Sequence, residues 1–203
     1  MSTAVAVPKH MLSRLLYPNP VCLLTVAAPA ENGSTDAADE KQTPHAWDLN
    51  IMTISWLTAT DNHGRFVCSI NLNRRSCTLV RRAMGFVLNI APTSLQPLLL
   101  AVGSTSGHDE ADKFTSLSIP TCQPGFQPLS TSTNPTPAIP TAAAHAECIV
   151  EEWSERHGHA VLFCRVVRGW ARSEWWDGRC LGSVEDPLLS FMGSKRFARV
   201  VPE

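Results

Sequence analysis

Small polar side chains interrupt an otherwise apolar segment, where a buried strand normally carries only aliphatic groups. The segment is Asn50-Ile51-Met52-Thr53-Ile54-Ser55-Trp56. Because side chains alternate across a strand, Thr53 and Ser55 share one face and Asn50 lies on the other, so both faces carry a hydrogen-bonding group. This pattern is typical of a strand end at the wall of a polar ligand pocket. A plain strand with a few satisfied hydroxyls is the alternative, because strands favour threonine.

Arginines and hydroxyls cluster where a predicted strand gives way to a predicted helix, in the segment Arg74-Arg75-Ser76-Cys77-Thr78. A helix N-terminus presents unpaired N–H groups and partial positive charge. Arginine and hydroxyl side chains added there produce a phosphate site. The alternative is a solvated helix start without a ligand. Arginine is unfavourable at this end of the helix dipole, so some other interaction would then have to stabilise it there. We therefore predict an anion site.

Two further segments carry side chains that are able to act on a ligand. Asp112-Lys113-Phe114, preceded by Ser106-Gly107-His108, places a cation beside a ligand or, more simply, forms a capped surface helix with a local ion pair. His159 opens an apolar strand and is either a partly exposed strand start or a pocket-lining donor near a redox centre. His157 stands two residues earlier and could point to the same face. A metal site would need more ligands than these two, and none are apparent nearby, so no metal site is predicted.

Known catalytic motifs are missing from the sequence. It contains no G-x-S-x-G, no P-loop and no G-x-G-x-x-G. If the protein is an oxidoreductase, the demanding chemistry therefore belongs to a cofactor.

Composition excludes several classes of protein. The 203 residues are 44% apolar with a formal net charge of −1, which predicts a globular chain without a general attraction for nucleic acid or an anionic membrane. The seven cysteines lack zinc-site spacing, and four of them lie in apolar runs as predicted core residues, namely Cys22, Cys68, Cys148 and Cys164. A reduced, cytoplasmic setting fits these cysteines better than a secreted one. We find no signal peptide and no apolar run near the roughly 20 residues that span a bilayer.

Strands dominate the elements that must position these side chains. The predicted strands are Val21–Ala28, Asn50–Trp56, Phe66–Asn71, Phe86–Ile90, Glu147–Trp153 and His159–Trp170. A helix is predicted from Asn73 as N-cap to Gly85 as stop, with a second from Ser94 to Val102 and a helical start at Asp109 to Phe114.

Long loops are predicted at 29–46 and at 120–145, the latter as a proline-rich surface excursion. Short connections between the remaining strands favour antiparallel pairing. We expect one domain over residues 1–203, mainly β with inserted short helices, and a small closed barrel is the economical architecture because closure removes sheet edges.

The order of these segments resembles that of a known family, the flavin reductase-like, FMN-binding split-barrel proteins, and within it the flavoredoxin-like branch. The resemblance spans about residues 14 to 170. The matching segments, in family order, are Leu16–Val21, Asn50–Trp56, Asn73–Ser76, Phe86–Ile90, Ser106-Gly107 with Asp112–Phe114, Glu147-Cys148 and the strand opened by His159.

The resemblance implies an antiparallel split β-barrel that forms a homodimer, with flavin mononucleotide (FMN) bound near the dimer interface. It assigns roles to three groups of residues besides His159, which would sit near the flavin ring where a nicotinamide approaches. The residues that would line the isoalloxazine edge are Asn50, Met52, Thr53 and Ser55. Those that would bind the phosphate are Asn71, Asn73, Arg74 and Ser76, and those that would close the pocket are Ser106, Gly107 and Lys113. The chain departs from the family at His108, where arginine is commoner.

The function that the resemblance implies is an FMN-dependent oxidoreductase, which takes hydride from NADH or NADPH and passes it to flavin or another acceptor. The alternative is an FMN-binding electron carrier or flavin-binding module without nicotinamide activity. A third possibility, an interaction domain on the same barrel without a cofactor, is opposed by Arg74 and Ser76 at a helix start. The sequence leaves open whether NADH or NADPH is the donor, and whether FMN is a substrate or a prosthetic group.

Overall fold

The computed structural model describes residues 4–30, 47–129 and 135–203. Ten strands account for most of the regular structure. A large sheet has seven strands, which are β2 (Cys22–Pro29), β3 (Trp47–Ile54), β4 (Leu57–Ala59), β5 (Arg65–Asn71), β6 (Gly85–Ile90), β7 (Ala144–Arg156) and β8 (His159–Ala171). A small sheet has three, which are β1 (Asn19–Pro20), β9 (Leu188–Gly193) and β10 (Arg196–Val200).

Five short helices complete the described elements. Two of them are 3₁₀-helices, at Lys9–Leu16 and Thr93–Leu95, and three are α-helices, namely α1 (Arg75–Ala83), α2 (Gln96–Ser104) and α3 (Lys113–Ser116). None of the helices in the described ranges combines the length and the apolar character that a membrane crossing requires.

The large sheet is antiparallel throughout, in the order β3-β2-β6-β7-β8-β5-β4. β3 and β4 are its two edges, although Ser55 and Trp56 alone separate them in sequence. The sheet therefore curls without closing between these strands. This confirms the antiparallel split barrel with short helices and corrects the closed barrel that the strand pattern favoured.

Two apolar clusters hold the elements together. The first packs α1 against the inner face of the large sheet and contains the predicted core thiols Cys22, Cys68, Cys148 and Cys164. Burial raises the pKa of the Cys22 thiol to about 12, so the group stays a neutral, hydrophobic side chain. The second cluster joins α2 to Ile51 of β3 and to Val21 and Leu23. The site described below lies where β3 passes between these clusters.

Both ends of α1 differ from the prediction. The N-cap is Arg74, in extended backbone, and Asn73 precedes it with its N–H bonded to the Asn71 side-chain oxygen at 2.8 Å. At the other end Met84 adopts the left-handed conformation (φ 49°), and Gly85 already belongs to β6. A Cβ on Gly85 would lie 3.1 Å from the Cys148 carbonyl oxygen, so the glycine allows close approach of two strands.

The segment 120–145 was predicted to be a surface excursion, and this prediction is wrong for the two ends of the segment. Cys122 pairs with Ala138 through reciprocal backbone hydrogen bonds of 2.9 and 2.8 Å, and Ala138, Ile139 and Ala142 are completely buried. β7 starts within this range, at Ala144. The alanines that suggested a surface loop are small enough to pack against the barrel. Residues 130–134, and 31–46 of the other predicted loop, lie outside the described residues.

Candidate functional site

A cavity of about 230 Å³ opens at the end of β3, where β5, β8, α1 and α2 meet. Every site residue predicted from the sequence lines it except Asn73 and Ser106. The lining residues that were predicted are Asn50, Met52, Thr53, Ser55, Asn71, Arg74, Ser76, Gly107, Lys113 and His159. The structure thus brings together segments that are more than 100 residues apart in the chain.

The strand β3 supplies one wall. Ile51 points away into the second apolar cluster, while the partly buried Met52 packs on the first, as the alternation of side chains requires. Thr53 donates its hydroxyl proton to the Leu99 carbonyl of α2 at 3.0 Å, which ties the helix to the strand. After Ile54 the chain leaves the sheet, so residues from both faces of the strand reach the cavity.

Three cations lie at the α1 side of the cavity. Arg74, Arg75 and Lys113 line it, and within the described ranges none of them has a carboxylate within 4.0 Å. Arg75 donates to the Ala111 carbonyl, which fixes its guanidinium beside the loop before α3. A concentration of unneutralised positive charge at a helix start is suited to an anion.

Lys113 is the buried member of this group, with 4% of its surface exposed. Its ammonium donates to the carbonyl oxygens of Ile51 (3.3 Å) and Val102 (3.5 Å). Burial, followed by the charges of Arg74 and Arg75, lowers the pKa of Lys113. The capped helix predicted here is present, since Asp112 accepts from the Thr115 N–H at 3.1 Å, but its first residue faces the cavity instead of solvent.

Asn50 contributes a buried side-chain amide of which one of the two polar atoms has no hydrogen-bond partner among the described residues. Its Nδ2 donates to Ser76 Oγ at 3.0 Å, whereas its Oδ1 is buried and has no hydrogen-bond partner among the described residues. An unsatisfied buried polar atom costs roughly 1–3 kcal/mol. Gly107 packs against this amide, because a Cβ at that position would lie 2.8 Å from Asn50 Nδ2. The free oxygen therefore indicates a place for a hydrogen-bond donor from outside the chain.

His159 and Trp56 form the aromatic part of the site. His159 starts β8 opposite Asn71 of β5, and its ring centroid lies 5.2 Å from that of Trp56 with the planes tilted by 51°. The indole N–H of Trp56 donates to the Tyr17 hydroxyl at 3.2 Å. These contacts fix a partly exposed aromatic surface at the cavity mouth.

Two predicted site residues and two neighbours do not face the cavity. The His108 ring lies with Nε2 2.9 Å from the Asn73 carbonyl oxygen, and the His108 N–H donates to Ser106 Oγ at 3.2 Å. Asn73 and Ser106 thus hold His108 against the start of α1 and act on the loop. Thr78, which the sequence placed in the anion cluster, is exposed on α1 away from the cavity.

Other lining residues were not predicted. Ser69 lies two positions before Asn71 on β5, so the period of two could have identified it. The end of α2 contributes Val102, Gly103 and Thr105. No local sequence pattern predicts that this helix packs on β3. Arg75, noted only as part of the arginine cluster, also lines the cavity.

Comparisons with known proteins agree with this fold. The model of a family described as flavin reductase like domain matches residues 12–194. An FMN-binding protein from Thermus thermophilus, solved with bound 1-cyclohex-2-enone, superposes with a TM-score of 0.69 at 20% identity, covering 100% of this chain and 98% of that one. No curated protein matches the sequence.

Two further solved structures show the same fold. Flavoredoxin from Methanosarcina acetivorans superposes with a TM-score of 0.71 at 14% identity, covering 100% of this chain and 94% of the other. An NADH:FAD oxidoreductase from Streptomyces globisporus gives a TM-score of 0.66 at 15% identity, with 100% of both chains covered.

Proposed function

The chain belongs to the flavin reductase-like domain family, and from that premise we propose that it is an FMN-binding oxidoreductase. It takes electrons from NADH or NADPH and passes them through FMN to a free flavin or another acceptor. The observation that carries this proposal is the cavity beside α1, where three cations converge without carboxylates among the described residues. Family membership supports a flavin-related redox activity, and the cavity chemistry supports a phosphorylated ligand.

The residues present fit FMN. A phosphate ester requires cationic and N–H donors, which Arg74 and Ser76 supply at the start of α1 together with Asn71. The polar chain next to that phosphate carries hydroxyl donors, and the unpaired Asn50 oxygen accepts such a group. Met52, Thr53 and Ser55 offer a mixed apolar and polar wall for the flat ring. Asn73 and Ser106 do not line the cavity and hold His108 beside the start of α1.

The protein's own part in the reaction is to bind, orient and polarise. When bound, FMN supplies the two-electron chemistry that no side chain of this cavity provides. Backbone N–H groups at the β3 end would donate to the ring edge, as the family resemblance implies, and the cation of Lys113, held by the Ile51 carbonyl, would favour negative charge in its neighbourhood. His159 and Trp56 limit the mouth of the cavity, where an electron donor approaches. Positioning and electrostatics dominate, and no general base is required.

A second candidate function is an FMN-holding electron carrier without nicotinamide activity. His108 supports it, because the resemblance implies that arginine is commoner at this position in the flavoredoxin-like branch. Its Nε2 lies 2.9 Å from the Asn73 carbonyl oxygen, and an imidazole has at most two N–H donors for a second anion where a guanidinium has five. A protein of this kind would keep FMN bound and receive electrons from another reductant.

A homodimer in a reducing, cytoplasmic setting completes the proposal. The 3₁₀-helix Lys9–Leu16 exposes Leu12 (50%), Leu15 (66%) and Leu16 (81%), and Leu16 lines an apolar groove that also contacts Trp56 of the site. A second copy of the chain would cover such a surface. Sedimentation velocity should give the mass of a dimer for the wild type and of a monomer for the Leu12→Ser, Leu15→Ser, Leu16→Ser variant.

All seven cysteines are free, which supports a reducing setting.

An anaerobic absorbance titration tests the function. Purified protein is mixed with FMN, and then with NADH or NADPH. We expect FMN to bind and its visible band to bleach faster with the protein than without it, and the more effective nicotinamide identifies the donor. Bound FMN that persists with both donors favours the carrier function. Failure to bind FMN would contradict both.

A further inference from the structure

Trp56 is a wall that two neighbouring depressions of the molecule share. It lines the cavity, and it also lines the apolar groove that contains Leu16 and Tyr17. The residue stands between β3 and β4, outside both strands, and 43% of its surface is exposed. Its backbone carbonyl accepts from the Ser69 N–H at 2.9 Å, which fixes the main chain but not the side-chain torsions. Contacts with other side chains must therefore set the position of the indole.

Two such contacts hold the indole of Trp56. Its ring centroid lies 5.2 Å from that of His159, with the planes tilted by 51°. Its N–H donates to the Tyr17 hydroxyl oxygen at 3.2 Å. The direction of this hydrogen bond is fixed by chemistry, because an indole nitrogen only donates and a tyrosine oxygen is able to accept. Tyr17 is thus connected to His159 through Trp56.

Tyr17 is itself anchored outside the cavity, which it does not line. Its ring centroid lies 5.8 Å from that of Phe191 on β9, and the ring of Phe191 lies 5.8 Å from that of Phe197 on β10. Tilted aromatic pairs at such distances are favourable. The strand β1 begins two residues after Tyr17 and pairs with β9. The small sheet is therefore joined to the mouth of the cavity by a continuous series of aromatic side chains.

We propose that Tyr17 is a positioning residue for the electron donor. Its hydroxyl holds the indole of Trp56, and thereby the imidazole of His159, in place at the mouth of the cavity. The inference rests on the proposed function, because the donor is a reduced nicotinamide that must be aligned with the flavin ring. Loss of the hydroxyl lets the indole turn, so the donor meets a mouth of less defined shape. The phosphate of FMN is unaffected, because Arg74 at the start of α1 takes no part in these contacts.

Nuclear magnetic resonance tests the contacts without a ligand. The Nε1–H signal of Trp56 is identified by its absence from the spectrum of the Trp56→Phe variant. We expect Tyr17→Phe, which keeps the ring and removes the hydroxyl, to shift this signal and to speed its exchange with solvent about threefold to tenfold. The His159 ring signals should move in the same direction as in Trp56→Leu, because the ring current of the indole no longer acts from a fixed position. Unchanged His159 signals in Tyr17→Phe would overturn the proposal.

Stopped-flow reduction of the FMN-loaded protein tests the consequence for the reaction. We expect Tyr17→Phe and Trp56→Phe each to lower the second-order rate constant for reduction by the preferred nicotinamide about threefold to tenfold, with an unchanged dissociation constant for FMN. The double variant should lose no more than Trp56→Phe alone, because both substitutions break the same hydrogen bond. Additive losses would mean that the two residues act independently, which contradicts the inference.

Trp153 provides the matched control. Its indole N–H donates to a carboxylate oxygen of Glu155 at 3.0 Å, and the residue does not line the cavity. Trp153→Phe should leave the rate constant of reduction and the Trp56 signal unchanged. A loss equal to that of Trp56→Phe would indicate a general effect of removing an indole, and the role of Tyr17 would have to be given up.

The proposed function and the role of Tyr17 fail in different ways. If neither nicotinamide reduces FMN bound to the wild type, the proposed function fails and a role in positioning the donor falls with it. If the wild type is reduced and Tyr17→Phe is reduced equally fast, the function stands and only the role of Tyr17 is removed. A loss confined to the affinity for FMN would assign Tyr17 to cofactor binding, and that result also overturns the inference.

Discussion

Arg74 and Ser76 stand where α1 begins, and their contacts to a phosphate would be charge-assisted or made at the positive end of the helix. We expect the Arg74→Ala, Ser76→Ala variant to lose roughly 1.5–3 kcal/mol of FMN binding free energy for the charge-assisted contact and less for the hydroxyl. Riboflavin, which has no phosphate, should lose much less. Isothermal titration calorimetry with the two ligands measures the difference.

Arg81 provides the matched control for that variant. It lies on the same helix, but its guanidinium is bonded to Glu155 at 2.7 Å, outside the cavity. Arg81→Ala should therefore leave the affinity for FMN unchanged. Similar losses in both variants would indicate a general effect of charge or of helix stability, and the phosphate site would have to be abandoned.

At the scale of elements, the loop between α2 and α3 must pass close to β3. Gly107 permits this, since a Cβ there would lie 2.8 Å from Asn50 Nδ2. We expect Gly107→Ala to push the amide aside and reduce FMN affinity by about tenfold or more, with little change in unfolding temperature. Gly169→Ala is the control, because Gly169 does not line the cavity and a Cβ there would lie at an ordinary 3.9 Å from the His145 carbonyl oxygen. Equal affinities for the two variants would contradict this account of the loop.

The loop 122–127 is attached to β7 by His145. The Gly125 N–H donates to Nδ1 at 3.2 Å, so Nε2 carries the proton and donates to the Ile139 carbonyl at 2.9 Å. Phe126 stacks on the imidazole at 4.0 Å. Burial, and the nearby charge of Arg172, keep the pKa of His145 below its usual value, while the carbonyl contact opposes this. The folded protein therefore holds this histidine neutral.

The lowered pKa of His145 in the folded protein makes the free energy of unfolding depend on pH. In the unfolded chain His145 takes up a proton near pH 6.5, whereas the folded chain resists protonation. The contribution is therefore complete above about pH 6.5 and is lost as the pH falls toward the folded pKa, by at most about 1.4 kcal/mol per pH unit. Urea unfolding at pH 7.5 and 5.5 should show a smaller loss for His145→Gln than for the wild type. Identical losses would mean that His145 is not the group responsible.

For the whole molecule, the cysteines report on how the barrel is packed. Cys180 is exposed, and the other six cysteines are buried. Burial raises the pKa of the Cys22 and Cys148 thiols, which suppresses the reactive thiolate. We expect Ellman's reagent to modify one thiol rapidly in native protein and the remaining six only after unfolding. Cys180→Ser should abolish the rapid phase, and several rapid thiols in that variant would contradict the packing described here.

The sequence by itself determined the features that arise from local chemistry. The period-two pattern of Asn50–Trp56 located the polar wall, and arginine with serine at a strand-to-helix junction located the cationic end, because strand alternation and the helix dipole are properties of short segments. The burial of Cys22, Cys68, Cys148 and Cys164 followed from the apolar runs around them. The antiparallel sheet followed from short connections.

The tertiary structure alone decided how these segments meet. It brought Asn50 into hydrogen-bond contact with Ser76, 26 positions further along the chain, and the ring of Trp56 into contact with that of His159. It also buried the flanks of the segment 120–145 against the barrel. It also left the sheet open between β3 and β4, and it moved Asn73 and Ser106 from the cavity to the support of His108. Such contacts depend on strand register and on the packing of distant elements, and no periodicity within a segment encodes either of them.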